Sequence, residues 1–233
     1  RLLKEKGIEP DAVAGLSLGE YSALVAAGAL SFEDAVALVA KRGQFMETAA
    51  PAGTGKMVAV MNTPVNVIEE ACQKAQNKGY VRPANYNTPA QIVIGGDVAA
   101  VDAAVENLKE AGAKRLIPLK VSGPFHTALL EPASRQLAEE LDEVQFSDFR
   151  IPLVGNTEAK VMNEADIKSL LARQVMEPVR FYDSIATMQE LGVTAYIEIG
   201  PGKVLSGFMK KIDKAAELVH VEDLSSLQAL LEK

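Results

Sequence analysis

The sequence has no tryptophan, one cysteine and two histidines in 233 residues. A lone Cys72 excludes an internal disulfide and a thiolate metal cluster. It reads as a small core residue, consistent with a reducing compartment, so a cytoplasmic location is expected. No apolar run approaches the roughly 20 residues that a membrane span needs; stretches such as 23–30 are far shorter, and no membrane partner is expected. Basic charge is scarce as well. The 24 Lys and Arg against 31 Asp and Glu give a formal charge of −7, which excludes a broad nucleic-acid surface and confines any acidic partner to a local patch. With so few His and Cys, no cluster at metal-ligand spacing forms, and no metal is expected.

What is present is ample apolar material: 48% of positions are hydrophobic, enough for one large domain with or without a smaller insert. Residues 1–7 read as the last turn of a helix closed by Gly7, with chain expected upstream. A short apolar strand over 11–15 feeds a tight turn and a helix over 20–27 that stops at Gly28. Ser31, as an N-cap with Asp34 three residues on, opens a helix to about residue 49, and Arg42 lies on it. From 56 to 121 the pattern is strand 57–61, helix 65–76, strands 80–85 and 91–94, helix 98–111 and strand 114–121. That βαββαβ order is ferredoxin-like. Beyond it come helix 129–141, strand 151–154, helices 164–174 and 179–191, and strand 195–199. The expectation is an α/β fold: a core with a mainly parallel sheet over 1–52 and 122–233, and an inserted ferredoxin-like subdomain over 53–121.

The run Gly15-Leu-Ser17-Leu-Gly19 has the G-x-S-x-G form of a nucleophile elbow, in which glycines flank a serine on a turn too sharp for side chains. Its context strengthens the pattern, because it follows an apolar strand and opens a helix. Leu18 N–H then lies at a helix N-terminus, where partial positive charge can meet an oxyanion. A serine hydroxyl needs a positioned base. Of the two histidines, His126 follows Ser122-Gly-Pro-Phe at a strand end, where sites on parallel sheets are built, whereas His220 reads as an ordinary strand residue. No acid stands out as a third member: Asp97 and Asp102 read as a turn residue and a surface helix residue. A backbone carbonyl can hold the imidazole tautomer instead. For Arg42, two readings stay open, a cation favouring the last turns of its helix or a two-pronged clamp for a substrate carboxylate. The Gly200-Pro-Gly-Lys203 run lacks the spacing of a phosphate loop and reads as a strand-to-helix turn.

Six segments together resemble the bacterial malonyl-CoA:acyl carrier protein transacylases: Gly15-Leu-Ser-Leu-Gly-Glu-Tyr-Ser-Ala-Leu24, Lys41-Arg-Gly43, Asn85-Tyr-Asn-Thr-Pro-Ala-Gln91, Val121-Ser-Gly-Pro-Phe-His126, Arg173-Gln174 and Glu198-Ile-Gly-Pro-Gly-Lys-Val-Leu205. The resemblance implies an α/β-hydrolase-like core carrying the ferredoxin-like insert, and no cofactor. It implies Ser17 as nucleophile, His126 as base, the main-chain carbonyl of Gln174 as the group orienting His126, Leu18 N–H as half the oxyanion hole and Arg42 as ligand of the malonyl carboxylate. Met46 and Asn85 match positions lining the substrate cleft. Phe125 matches the residue that, in related polyketide acyltransferase domains, accompanies malonyl rather than methylmalonyl. Implied partners are malonyl-CoA and acyl carrier protein, with the chain monomeric. Carrier proteins are acidic, so Lys114 and Arg115 are the candidate docking cations, weighed against two solvated strand-end charges. This sequence departs from the family at Leu16, where many members have histidine, and in not containing an upstream Gly-Gln-Gly segment whose glutamine N–H completes the oxyanion hole. The competing readings are a serine ester or thioester hydrolase and a catalytically silent fragment that binds carrier protein or CoA.

Overall fold

A computed structural model of the chain describes residues 2–232. The short helix α1 (Leu2–Glu5) is closed by Gly7 at φ 75°, and β1 (Val13–Ala14) stops where Gly15 enters the turn. Helix α2 (Leu18–Ala26) starts two residues before the sequence-predicted position, on the turn itself. Helix α3 (Phe32–Ala49) is capped as expected, with Ser31 Oγ accepting Asp34 N–H at 3.0 Å.

The next block runs β2 (Gly55–Met61), α4 (Val65–Ala75), β3 (Val81–Thr88), β4 (Gln91–Asp97), α5 (Val98–Glu110), β5 (Arg115–Pro118). Its strands form one antiparallel sheet in the order β3-β4-β2-β5. Period-two alternation divides β2 between two cores. Val58 and Val60 meet Ile68, Cys72, Val101 and Leu108 of α4 and α5, while Met57 and Ala59 face the other way and pack with Phe125. Strand β4 continues through Gly95 and Gly96, past its expected end at 94, because β3 comes too close for a side chain: a Cβ on Gly96 would lie 1.9 Å from Tyr80 O. Strand β5 ends at Pro118, short of the expected 121, and an exposed loop returns to Pro124, which packs so tightly on Gly55 that a Cβ there would meet its ring at 2.3 Å.

The remainder comprises α6 (Glu131–Glu143), β6 (Leu153–Val154), α7 (Ile167–Gln174), α8 (Phe181–Glu190), β7 (Ala195–Ile199), α9 (Val204–Ile212), β8 (Glu217–Val221) and α10 (Leu224–Leu231). Helices α2, α3, α6 and α7 enclose the main core, with Leu24, Leu137, Leu141 and Leu171 fully buried. Each contributes about 1.5–3 kcal/mol by leaving water. Parallel pairing occurs between β1 and β6 and between β7 and β8. The expected mainly parallel sheet is therefore present, among the described residues, as two separate two-stranded pairs, and the largest sheet is the antiparallel one. The first pair is only two residues long because β1 is cut by the Gly15 turn and β6 lies between Pro152 and Gly155. Helix α8 begins at Phe181 rather than 179. Val179 is drawn into a seam with β3, where Val179 N donates to Ala84 O at 2.9 Å and Tyr86 N to Val179 O at 2.8 Å.

Candidate active site

Two glycines make the turn at Ser17 possible. A Cβ on Gly15 would sit 2.0 Å from Gly19 C and O, so no other residue fits without moving the helix start. Ser17 takes φ 53°, ψ −102°, a backbone conformation that costs about 1–3 kcal/mol for a residue with a Cβ and persists only where neighbours hold it. Asn156, in the turn after β6, supplies that hold: its Nδ2 donates to Gly15 O at 2.6 Å and its Oδ1 accepts Ser17 N–H at 2.6 Å. Leu18, with an exposed side chain, is the first residue of α2, so its backbone N–H has no intrahelical acceptor.

Ser17 Oγ accepts a hydrogen bond from Arg42 Nη2 at 3.0 Å. The guanidinium reaches it from α3, is 6% exposed, lies 5.5 Å over the Tyr21 ring and also donates to Gln174 Oε1 at 3.0 Å. Its Nε is buried with no acceptor, and among the described residues no carboxylate lies within ion-pair distance of it. Burial pulls the Arg42 pKa below its usual value, with Tyr21 and Glu20 opposing.

His126 is buried, with φ 59°. Its Nδ1 is 2.7 Å from the main-chain oxygen of Gln174. A carbonyl can only accept, so Nδ1 carries the proton and Nε2 is left with a free lone pair. Burial, chiefly, pushes the imidazole down to about 4; the Gln174 carbonyl opposes this and the Arg42 charge adds to it. The ring is therefore neutral at neutral pH. In this state the partner of Ser17 Oγ is Arg42, not His126.

Beneath these groups lies a polar layer that the sequence reading missed. Glu20, 1% exposed, accepts Asn156 N–H at 2.7 Å on Oε1 and a short bond from Gln174 Nε2 on Oε2. Gln174 Nε2 also donates to Ser17 O at 2.9 Å. Burial raises the Glu20 carboxyl to about 7 against these donors and the nearby Arg42 charge. The available signal was an acid directly after the elbow glycine, which helix-dipole reasoning absorbs. Nothing in the sequence ties Asn156 to a serine 139 residues away.

Ser17, Leu18, Arg42, His126 and Gln174 thus converge. The other candidates join them by no hydrogen bond among the described residues. Met46 is buried in the main core, Asn85 is buried in β3 beside the Val179 seam, and Phe125 is half-buried between two apolar clusters. Lys114 and Arg115 are exposed at the start of β5. Arg115 borders a cleft of about 400 Å³ that is shared with Lys203 and Lys211 and walled by Met61, Val204 and Phe208. Asp97 accepts Tyr80 N–H, and Asp102 pairs with Lys56 at 2.5 Å, so neither reaches His126. Among the described residues no His, Cys, Asp and Glu cluster could hold a metal, and no helix is long and apolar enough to cross a membrane.

An elbow serine beside a buried guanidinium and a neutral, oriented imidazole, on a mixed α/β fold, is an arrangement chemically suited to acyl transfer, and similarity to known proteins makes the chain an acyltransferase. The chain belongs to the acyl transferase domain family, whose pattern matches residues 1–227. It is 49% identical over 231 residues to the malonyl CoA-acyl carrier protein transacylase of Bacillus subtilis strain 168, covering 98% of this chain and 73% of that protein. Among solved structures it resembles MCAT from Streptococcus pneumoniae at 75% identity with a TM-score of 0.97, covering 100% of this chain and 76% of that one. It also resembles a holo complex of a type II PKS acyl-carrier protein with its malonyl-transacylase, at 41% identity with a TM-score of 0.96 over 100% of this chain and 76% of that one.

Proposed function

We propose that the chain transfers a malonyl group from malonyl-CoA to the phosphopantetheine thiol of acyl carrier protein, through an ester on Ser17, in fatty acid biosynthesis. The observation that carries this reading is Arg42: a buried cation with a spare N–H and, among the described residues, no carboxylate within ion-pair distance, one hydrogen bond from the elbow hydroxyl. A substrate with a free carboxylate supplies the missing anion and draws Nη2 away from Oγ. His126 Nε2 then takes the hydroxyl proton as Oγ attacks the thioester carbonyl, and Leu18 N–H receives the developing oxyanion. Collapse breaks the C–S bond; the CoA thiolate leaves and takes the proton from His126. In the second half-reaction the carrier thiol gives its proton to His126 and attacks the ester, and Ser17 recovers a proton as it leaves. No cofactor enters either step.

In this reading Met46, Asn85 and Phe125 line the acyl cleft, and the Phe125 ring fills the space an α-methyl group needs. Lys114 and Arg115 dock the acidic carrier, and the neighbouring Lys203 and Lys211 extend that positive patch. The strand order β3-β4-β2-β5 supports a ferredoxin-like subdomain over 53–121, set into an α/β-hydrolase-like core over 1–52 and 122–233. The chain acts as a cytoplasmic monomer. The test is mass spectrometry after mixing with malonyl-CoA: a malonyl adduct on Ser17, absent in Ser17→Ala, is expected. Free malonate without transfer to carrier protein would make the chain a hydrolase, and no reaction would leave it a binding module.

A further inference from the structure

Arg42 carries the anion reading, yet a guanidinium on three methylenes has many rotamers, and something must aim it. One direct partner is the side chain of Gln174, whose oxygen accepts Nη2 at 3.0 Å. An amide presents an acceptor at one end and two donors at the other, and it holds Arg42 only in one of its two flipped orientations. The other end of the amide settles which: Nε2 faces Glu20 Oε2 and Ser17 O. When ionised, as its two accepting oxygens place it here, Glu20 accepts only and so admits the NH₂ end and rejects the oxygen end. Because burial raises this carboxyl to about 7, the selection is fully in force above that pH. Its second oxygen is taken by Asn156 N–H at 2.7 Å, which leaves the carboxylate no other way to turn. Glu20 is 1% exposed and Gln174 fully buried.

We infer that Glu20 is a positioning residue for carboxylate recognition: through the Gln174 side-chain amide it fixes Arg42 beside Ser17. This rests on the reading of Arg42 as the ligand of the acyl carboxylate. Glu20 itself does not touch the acyl group. Its Coulombic attraction also helps keep the buried guanidinium charged. Glu20→Gln preserves size and removes the acceptor-only property together with the negative charge. The new amide must give its oxygen to Asn156 N–H, so its NH₂ meets the NH₂ of Gln174. If Gln174 flips to resolve that conflict, it turns a donor toward Arg42 and releases it.

The experiment measures, at about pH 8 where Glu20 is ionised, single-turnover acylation of Ser17 by malonyl-CoA and by acetyl-CoA, with KM and rate separated, in wild type, Glu20→Gln, Glu20→Asp, Arg42→Ala and the Glu20→Gln/Arg42→Ala pair. Glu20→Gln is expected to raise KM for malonyl-CoA about tenfold, as for one weakened bond to a charged group, and to cost acetyl-CoA clearly less, only what the Gln174 bond to Ser17 O contributes. On the Arg42→Ala background the same change should add no further malonyl-specific loss, because the group it aims is gone. Glu20→Asp keeps an acceptor-only carboxylate one methylene shorter and should show the same selective loss, only smaller; it decides the matter if the Gln variant does not fold. Equal losses for both substrates, or none, in the folded Glu20 variants would overturn the inference and make Glu20 a support of the elbow alone. If Arg42→Ala itself shows no malonyl-specific loss, the Arg42 reading fails first, which separates the two failures.

Discussion

Replacing Arg42 by alanine tests the assignment most directly, because the structure gives that side chain two separable effects. The first is on the acyl group. A malonyl carboxylate at this site would be desolvated beside a guanidinium that is 6% exposed and has Nε free to donate. A hydrogen bond to a charged group contributes about 1.5–3 kcal/mol, which converts to roughly ten- to hundredfold in kcat/KM, and stranding the anion costs about 3–5 kcal/mol. The second effect is on the protein. The substitution removes a buried charge lacking an ion-pair partner, which relieves its burial, and it deprives Gln174 Oε1 of a donor, which costs about 1–3 kcal/mol. These oppose, so Tm should move by only about a few degrees and the kinetics remain interpretable. Single-turnover acylation followed by intact-protein mass spectrometry should show a drop of at least about tenfold with malonyl-CoA. Acetyl-CoA, with no carboxylate to place, should react as before or faster. Arg42→Lys should restore part of the loss, since a point charge cannot make a forked contact. If both substrates fall by the same factor, Arg42 is structural and the reasoning from its missing counter-ion is refuted.

Two further outcomes follow. His126 at about 4 lies below its ordinary 6.5, so the unfolded chain binds more protons between those values and stability is lost as pH falls through that window; Glu20 at about 7 lies above its ordinary 4.5, so its contribution is present at low pH and lost as pH rises through 7. Between pH 6.5 and 4.5 the two oppose at about 1.4 kcal/mol per pH unit each. Urea midpoints should therefore fall more steeply with acid in Glu20→Gln than in wild type, and less steeply in His126→Ala; parallel profiles would contradict both shifts. Reversing Lys114 and Arg115 to glutamate should slow transfer to carrier protein, most at low salt, and leave acylation by malonyl-CoA intact. Equal damage to both half-reactions would remove these cations from docking.

Local chemistry was legible wherever the cause was local. The Gly7 and Gly28 stops, the Ser31 cap and the Gly15-x-Ser17-x-Gly19 turn each rest on a few neighbouring residues, and each appears where periodicity and capping put it. Errors gathered where a distant segment overrode the local signal. Val179 read as helix but pairs with β3, and Gly95-Gly96 read as a strand end but continue β4 because another backbone passes against them. The same division runs through the site. A serine on an elbow announces itself, and the fork of Arg42 could at least be framed as a choice. The side chains of Glu20, Asn156 and Gln174 gain meaning only when residues more than 130 positions apart share hydrogen bonds, which no spacing rule encodes.

The seam at Val179 bears on engineering by transplantation. Entry and exit of the β2-to-β5 block lie side by side, since β2 and β5 pair antiparallel with Val58 opposite Pro118 and Gly55 rests on Pro124. By those ends alone the block looks like a cassette that could be exchanged between enzymes to alter partner choice. Yet Ala84 and Tyr86, from the middle of the block, are bonded to Val179, five residues beyond the carbonyl that holds His126. A donor cassette joined only at its ends would leave those two backbone groups to pair anew, at a net cost of about 0.5–1.5 kcal/mol each, and would unfasten the chain next to the imidazole's anchor. A working chimera must carry residues 176–180 with the cassette, making the portable unit two pieces of chain, not one.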